Sequence, residues 1–173
     1  MNKIVKLTLI LFLVSAIVAG ILGLTNMVTE EPIRLYNEKK TAEAYSAVMD
    51  FNKYDAVDYK GDGTVTKVYK TDTGNWIVEA EVSGSQGMIT VAVGVNADLT
   101  CNGISIISSS ETSGLGSKAS NAEFKDQFVG ISADQAKVTK DGGKINAITG
   151  ATITSRAVCT AVDAAIAAVS TLG

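Results

Sequence analysis

Histidine is missing from all 173 residues, and cysteine occurs only as Cys101 and Cys159. Without histidine the chain cannot build a Ser-His-Asp or Cys-His catalytic site, a histidine-ligated zinc site or a Cys-x-x-Cys-His haem attachment. Two cysteines so far apart in sequence cannot by themselves hold an iron–sulfur cluster. The sequence therefore predicts no catalytic side chain and no metal site, and any chemistry would depend on a cofactor.

Positive charge is scarce beyond the first few residues. Lys3 and Lys6 precede residue 7, whereas all 18 acidic residues follow Thr29. Removing those two lysines from the total of 15 basic residues leaves 13 against 18 acidic ones, a net charge of −5 for the remainder. This balance argues against nucleic acid as a partner.

Charge of either sign is absent from residues 7–29, a run of 23 residues. As a helix this run would rise about 34 Å, enough to cross a hydrocarbon core of roughly 30 Å. A cleaved signal peptide is the alternative, but its apolar region spans only about 7–15 residues. The sequence thus predicts one transmembrane anchor in the cell membrane. Lys3 and Lys6 place its N-terminus in the cytoplasm and the rest outside, where Cys101 and Cys159 could form a disulfide; the sequence leaves that pairing open.

Residues 30–63 are predicted to form a helix and a linker. Glu30-Glu31-Pro32 is typical of a helix start. An inward helical face is predicted from the spacing of Ala44, Ala47, Val48 and Phe51. Residues 52–63 are polar and predict a solvated linker. The predicted organisation is therefore an anchor over 1–29, a helix and linker over 30–63, and an outer domain over 64–173.

Between residues 64 and 110, hydrophobic residues recur at every second position, which predicts an antiparallel meander of about four strands. The clearest strands are residues 76–82, with Glu79 and Glu81 on the polar face, and residues 89–95. Further along, the sequence predicts a short helix over 122–128, a short strand over 144–148 and a final helix over 152–170. The final helix is predicted to bury Ile153, Ala157, Ala161, Ala164, Ala165 and Ala168. The fold class is α+β, with one sheet and helices packed on it.

Residues 149–155, Thr-Gly-Ala-Thr-Ile-Thr-Ser, lie where the last strand meets the last helix. Hydroxyl residues are common there as helix caps, which accounts for one of the four hydroxyls. A helix start rich in hydroxyls and glycine is also suited to binding phosphate. Residues 111–118, Glu-Thr-Ser-Gly-Leu-Gly-Ser-Lys, form a second glycine-containing segment that could equally be a flexible loop, and it lacks the Walker spacing. Arg156 and Lys118 are candidate cations for a phosphate.

These two segments, together with residues 124–130, resemble the FMN-binding domain family. Residues 149–152 match its Ser/Thr-Gly-Ala-Thr motif, and residues 111–116 are similar to its Glu-Thr-Pro-Gly-Leu-Gly loop, with Ser113 in place of proline. Asn146 stands where relatives commonly have aspartate. The family includes the G-type subunit of the Rnf complex and the C-type subunit of the sodium-translocating NADH:quinone reductase.

The resemblance implies FMN attached through its phosphate to Thr152, installed by a separate ApbE-type flavin transferase. It implies further cofactor-binding residues, namely Thr149, Gly150, Ala151, Thr154, Glu111, Thr112, Gly114, Leu115, Gly116 and Lys118. The function implied first is an electron-carrier subunit of a membrane-bound Rnf-type complex that couples electron transfer between ferredoxin and NAD to sodium or proton transport, with the other membrane subunits as partners. The alternatives are a quinone-reductase subunit, a free-standing extracytoplasmic flavoprotein and a binding module without redox function.

Overall fold

The computed structural model describes residues 3–61 and 63–172. Met1, Asn2 and Gly173, at the ends of the predicted anchor and outer domain, and Asp62 of the predicted linker lie outside the described residues. The helices are α1 (Lys3–Val48), α2 (Ala122–Lys125) and α3 (Thr152–Leu172). The strands are β1 (Tyr54–Val57), β2 (Val65–Thr71), β3 (Trp76–Ser83), β4 (Met88–Val95) and β5 (Cys101–Ser109).

The chain divides into two compact units, Met1–Lys40 and Thr41–Gly173. The first unit consists of α1 up to Lys40, and its apolar side chains are exposed. The predicted helix start at Glu30-Glu31-Pro32 is wrong, because α1 continues through Pro32. Proline deprives the helix of one backbone hydrogen bond. Next to it, Arg34 bonds Glu31 and Glu38 at 2.7 Å each, which supports the helix on either side.

The second unit is built on a five-stranded antiparallel sheet in the order β1-β2-β3-β4-β5. Strands β3 and β4 confirm the predicted strands, and their register places Val78 opposite Val93. Strand β1 was not predicted, since it lies in the segment expected to be a solvated linker. It forms because Tyr54 packs its ring against Tyr69 of β2 and against Phe51.

Helix α3 covers one face of the sheet and supplies much of the core. Of the predicted inward residues, Ala157, Ala161, Ala165 and Ala168 are buried and Ala164 is partly buried. Ile153 was also predicted to be buried, but this is wrong, because its side chain is 59% exposed. Next to these alanines, Val158, Val162, Ile166 and Val169 are also buried. The buried stripe is therefore wider than predicted, and in the first turn of α3 it contains Thr154 and Ser155 in place of Ile153.

The C-terminal end of α1 covers the opposite face. Ala44 and Val48 are buried as predicted, whereas Ala47 is exposed and Phe51 is only partly buried. The buried set also includes Tyr45, whose hydroxyl donates to Glu79 at 2.5 Å. Glu79 lies on the face predicted to be polar, yet α1 buries it, and Lys67 of β2 bonds its carboxylate at 2.9 Å.

The end of α1 approaches the sheet closely at Gly94 of β4. A Cβ atom at Gly94 would lie 2.3 Å from the carbonyl oxygen of Val48, so only glycine fits without a shift. The same carbonyl accepts a hydrogen bond of 2.7 Å from the Asn102 side chain. The last turn of α1 is therefore fixed on the sheet both by close packing and by this hydrogen bond.

The segment between α2 and α3 is mostly loop. The predicted helix over 122–128 is confirmed as α2 followed by a 3-10 turn over Asp126–Phe128. The predicted strand over 144–148 is wrong, since the segment makes a single parallel bridge between Val138 and Ile145. Side chains hold it instead: the Asn146 N–H donates to Gln127 Oε1 at 2.7 Å. Cys101 and Cys159 are buried and unpaired, so no disulfide forms between them.

Candidate functional site

A cleft forms where the two segments singled out in the sequence meet. Its volume of about 370 Å³ falls in the range of small-molecule sites, about 300–1,000 Å³. We call it the Thr152 cleft, and its lining residues are Ser85, Gln86, Glu111, Thr112, Leu115, Gly116, Gly150, Ala151, Thr152, Ile153 and Thr154. The fold therefore places the 111–116 loop against the start of α3.

Thr152 is the first residue of α3. The Ser155 N–H donates to the Ala151 carbonyl at 3.0 Å, but the N–H groups of Thr152, Ile153 and Thr154 find no acceptor among residues 3–61 and 63–172. Free N–H groups at a helix start carry partial positive charge and bind anions. The Thr152 cleft thus has an anion-binding wall made of backbone.

The hydroxyls of the 149–155 segment differ in their partners. Ser155 Oγ donates to the Ala151 carbonyl and accepts the Ile148 N–H, both at 2.9 Å. Thr154 Oγ1 donates to Glu111 Oε2 at 2.7 Å. Both of these side chains are buried, whereas the hydroxyls of Thr149 and Thr152 have no hydrogen-bond partner in the described part of the chain. Of those two, only Thr152 lines the Thr152 cleft.

Glu111 is the charged residue that lines this cleft, and protein donors surround its carboxylate. Its Oε1 accepts the N–H groups of Ser85 at 2.6 Å and Gln86 at 3.1 Å, and its Oε2 accepts from Thr154. Partial removal from water acts to raise the pKa of Glu111, but the three hydrogen bonds together outweigh it and leave the pKa below its usual value. Glu111 is therefore ionised at neutral pH and already engaged within the protein.

Two glycines make room for this carboxylate. A Cβ atom would lie 2.2 Å from Glu111 Oε1 if built at Gly84 and 2.4 Å from Oε2 if built at Gly116. Gly116 belongs to the loop predicted from sequence. Gly84, Ser85, Gln86 and the outward-facing Ile153 were not predicted as site residues. Residues 83–87 lie between the two clearest predicted strands, and they were missed because backbone N–H donors leave no signature in the side-chain pattern.

Other predicted site residues lie elsewhere. Lys118 and Thr149 line a second cleft of about 250 Å³ that also contains Gln127 and Asn146. Gly114 lies outside both clefts. Arg156, a candidate cation, is paired with Asp141 at 2.7 and 2.8 Å and does not line the Thr152 cleft.

The fold and the Thr152 cleft define an α+β domain with a backbone anion site and an apolar rim, the class of protein that binds a small phosphate-bearing molecule. The FMN-binding domain family matches residues 84–167, a range that contains every residue lining the cleft. The chain belongs to the FMN-binding domain family.

Full-length relatives agree with this assignment. The chain is 32% identical to the G-type subunit of the ion-translocating oxidoreductase complex of Methanosarcina acetivorans, over 98% of this chain and 96% of the relative. It is 37% identical to the G-type subunit of the Na⁺-translocating ferredoxin:NAD⁺ oxidoreductase complex of Acetobacterium woodii, over 93% and 89%. It is 34% identical to the corresponding subunit of the proton-translocating ferredoxin:NAD⁺ oxidoreductase complex of Clostridium ljungdahlii, over 96% and 89%. The similarity therefore covers nearly the whole chain, including α1.

Proposed function

We propose that this chain is an FMN-carrying electron-transfer subunit of a membrane-bound Rnf-type complex, with the flavin joined through its phosphate to Thr152. In that complex, electron transfer between ferredoxin and NAD is coupled to sodium or proton transport. One observation carries the attachment site: Thr152 combines a free hydroxyl with a position at the start of α3, where three N–H groups lack acceptors among the described residues.

The residues of the Thr152 cleft suit FMN. The free N–H groups of Thr152, Ile153 and Thr154 match the remaining negative charge of a phosphodiester. Leu115 and Ile153 are 45% and 59% exposed and line the cleft, so they offer an apolar surface to a flat ring. Bound FMN supplies the one- and two-electron redox chemistry that the side chains lack.

The attachment step requires an outside enzyme. The Thr152 hydroxyl would form the ester bond with the FMN phosphorus while the diphosphate bond of FAD breaks and AMP leaves. The hydroxyl proton needs a base, but the chain has no histidine, and Glu111 is already held by three donors. We assign that base, and the magnesium, to an ApbE-type flavin transferase.

Helix α1 is the proposed membrane anchor. It is long and apolar enough to cross a bilayer, and its apolar window is fully exposed. Helix α3 passes the same test of length and composition, but 61% of its window is buried against the sheet. We propose that residues 1–29 anchor the chain and that residues 64–173, together with β1 and the end of α1 on the same sheet, form the FMN-binding domain on the extracytoplasmic side.

Covalent attachment is tested by producing the full chain together with a flavin transferase. We expect flavin fluorescence to stay with the denatured protein in a gel and the peptide containing Thr152 to gain the mass of FMN. Thr152→Ala should lose the fluorescence, whereas Thr149→Ala, which removes the other free hydroxyl of the motif, should retain it. Fluorescence that survives in Thr152→Ala would move the attachment site to another residue.

The proposed topology is tested separately. Protease added outside spheroplasts should digest the domain while leaving a fragment that contains α1 in the membrane. A domain that is digested only after the membrane is opened would place it in the cytoplasm instead.

A further inference from the structure

The Glu111 carboxylate joins three parts of the fold that are distant in sequence. It bonds Ser85, 26 residues away in the β3–β4 turn, and Thr154, 43 residues away in the first turn of α3. Its own loop packs around it at Gly116. We propose that Glu111 is a positioning residue that sets the first turn of α3 so that the Thr152 hydroxyl and the free N–H groups face the cleft. This inference rests on the proposed attachment of flavin at Thr152.

The charge-assisted form of the contact requires a carboxylate. Its two oxygens accept on both sides at once, two N–H groups at Oε1 and one hydroxyl at Oε2. Glutamine has nearly the same shape but only one acceptor oxygen. With its oxygen on the β3–β4 turn, its amide N–H could only donate to Thr154 Oγ1, which replaces the charge-assisted bond with a weaker neutral one.

The contact between Glu111 and Thr154 determines which way the first turn of α3 faces. Thr154 is two residues after Thr152 in the same helical turn, and its side chain is fully buried. Holding Thr154 Oγ1 against Glu111 fixes the rotation of that turn about the helix axis. It also keeps the Thr154 hydroxyl from competing with the flavin phosphate for the free N–H groups.

The negative charge of Glu111 lies in the same cleft as the proposed phosphate. Like charges at close range repel. The three donors around the carboxylate offset its charge locally, so it can position the helix with a reduced cost to anion binding. A side chain that bound the flavin phosphate directly would need a hydrogen-bond donor or a positive charge, and an ionised carboxylate has neither, which distinguishes positioning from phosphate contact.

The test measures the initial rate of FMN transfer to the purified full-length apoprotein in detergent, using an ApbE-type transferase and magnesium-FAD. Wild type is compared with Glu111→Gln, Thr154→Val and the double variant, at a temperature well below the unfolding midpoint of each. Glu81→Gln is the matched control, because Glu81 is an exposed glutamate on β3 outside the cleft. Unfolding midpoints of the apoproteins are measured alongside.

We expect Glu111→Gln and Thr154→Val each to slow transfer about tenfold, the effect of losing one charge-assisted hydrogen bond. The double variant should be no slower than the slower single variant, because both changes remove the same charge-assisted hydrogen bond. Glu81→Gln should match wild type. A merely structural role would lower the unfolding midpoints while leaving the rate below those midpoints unchanged.

The outcomes separate the two proposals. If wild type accepts FMN at Thr152 and Glu111→Gln accepts it at the same rate, the positioning role is overturned. It is also overturned if the two single effects multiply in the double variant. If wild type accepts no covalent flavin, the proposed function itself fails. If Glu111→Gln does not fold, Thr154→Val, which keeps the side-chain volume, decides by its rate alone.

Discussion

Ser155 connects the loop before α3 to the helix itself. Its buried hydroxyl accepts the Ile148 N–H and donates to the Ala151 carbonyl, so one side chain closes the turn that contains Gly150 and Ala151. Thr152 follows that turn directly. The geometry of the proposed attachment site therefore depends on a residue that does not line the cleft.

We expect Ser155→Ala to lower the free energy of unfolding by about 1–3 kcal/mol, because the Ile148 N–H would be left without its acceptor. Urea unfolding of the full chain in detergent measures the change. Ser170→Ala is the control, since Ser170 is an exposed serine of the same helix, and it should stay within about 0.5 kcal/mol of wild type. Equal effects of the two variants would contradict the closing role of Ser155.

The lowered pKa of Glu111 predicts a pH dependence. Its ordinary pKa is 4.5, and the folded protein holds it below that value. Its contribution to stability should therefore be complete above about pH 4.5 and should be lost as the pH falls through the lower folded pKa. The stability difference between wild type and Glu111→Gln, measured by urea unfolding, should be constant near neutral pH and shrink in acid. Asp72, Asp98 and Asp141 also have lowered pKa values, but they are present in both proteins and cancel. A difference that grows in acid would contradict this assignment.

The sequence predicts which segments form the site better than it predicts the role of each residue in it. The 111–116 and 149–155 segments do meet, as the resemblance implied. The hydroxyls of Thr154 and Ser155, however, are engaged inside the protein rather than free for phosphate. A one-dimensional pattern shows which side chains can donate, but only the fold shows which of them already have partners.

Among the elements, the end of α1 approaches β4 closely at Gly94. We expect Gly94→Ala to destabilise the domain by about 1–3 kcal/mol, because a methyl group there would collide with the Val48 carbonyl. Gly103 is a matched control, since it is paired with Gly94 across the β4–β5 ladder and its added Cβ would lie 3.8 Å from the nearest atom. Urea unfolding should show Gly103→Ala close to wild type. If both variants lose the same stability, the approach of α1 is not the cause.

Elements with a clear hydrophobic periodicity were predicted well, and the exceptions have physical causes. Strands β3 and β4 alternate clearly and were found nearly to the residue. Strand β1 has four residues and no buried position, so its sequence shows no alternation of buried and exposed residues. In the 144–148 segment, the N–H groups of Asn146 and Ile148 bond the side chains of Gln127 and Ser155. Among the described residues the segment makes one β-bridge, between Val138 and Ile145, and no strand pairs along it. The continuity of α1 through Pro32 was missed because proline favours a helix start over a helix interior. The ion pairs of Arg34 with Glu31 and Glu38 support the helix around it.

For the whole molecule, the proposal predicts that the flavin can be removed without dismantling the complex. The cleft residues belong to the second unit, whereas the apolar run of α1 belongs to the first, so Thr152→Ala should leave the membrane assembly intact. Membranes that carry this variant should lose ferredoxin-dependent NAD reduction while the other subunits still co-purify with the chain. Thr149→Ala should keep both properties. Full activity in an assembled Thr152→Ala complex would remove this flavin from the electron path.

Glu111 bonds residues that are distant in sequence, and this connects FMN attachment to the folding of the chain. An unfolded chain displays the four residues of the Thr-Gly-Ala-Thr motif as readily as a folded one, but it cannot bring Ser85, Glu111 and Thr154 together. A transferase that depends on this arrangement would modify only chains that have completed folding. Covalent flavin would then be present only on chains that had folded before they took part in electron transfer.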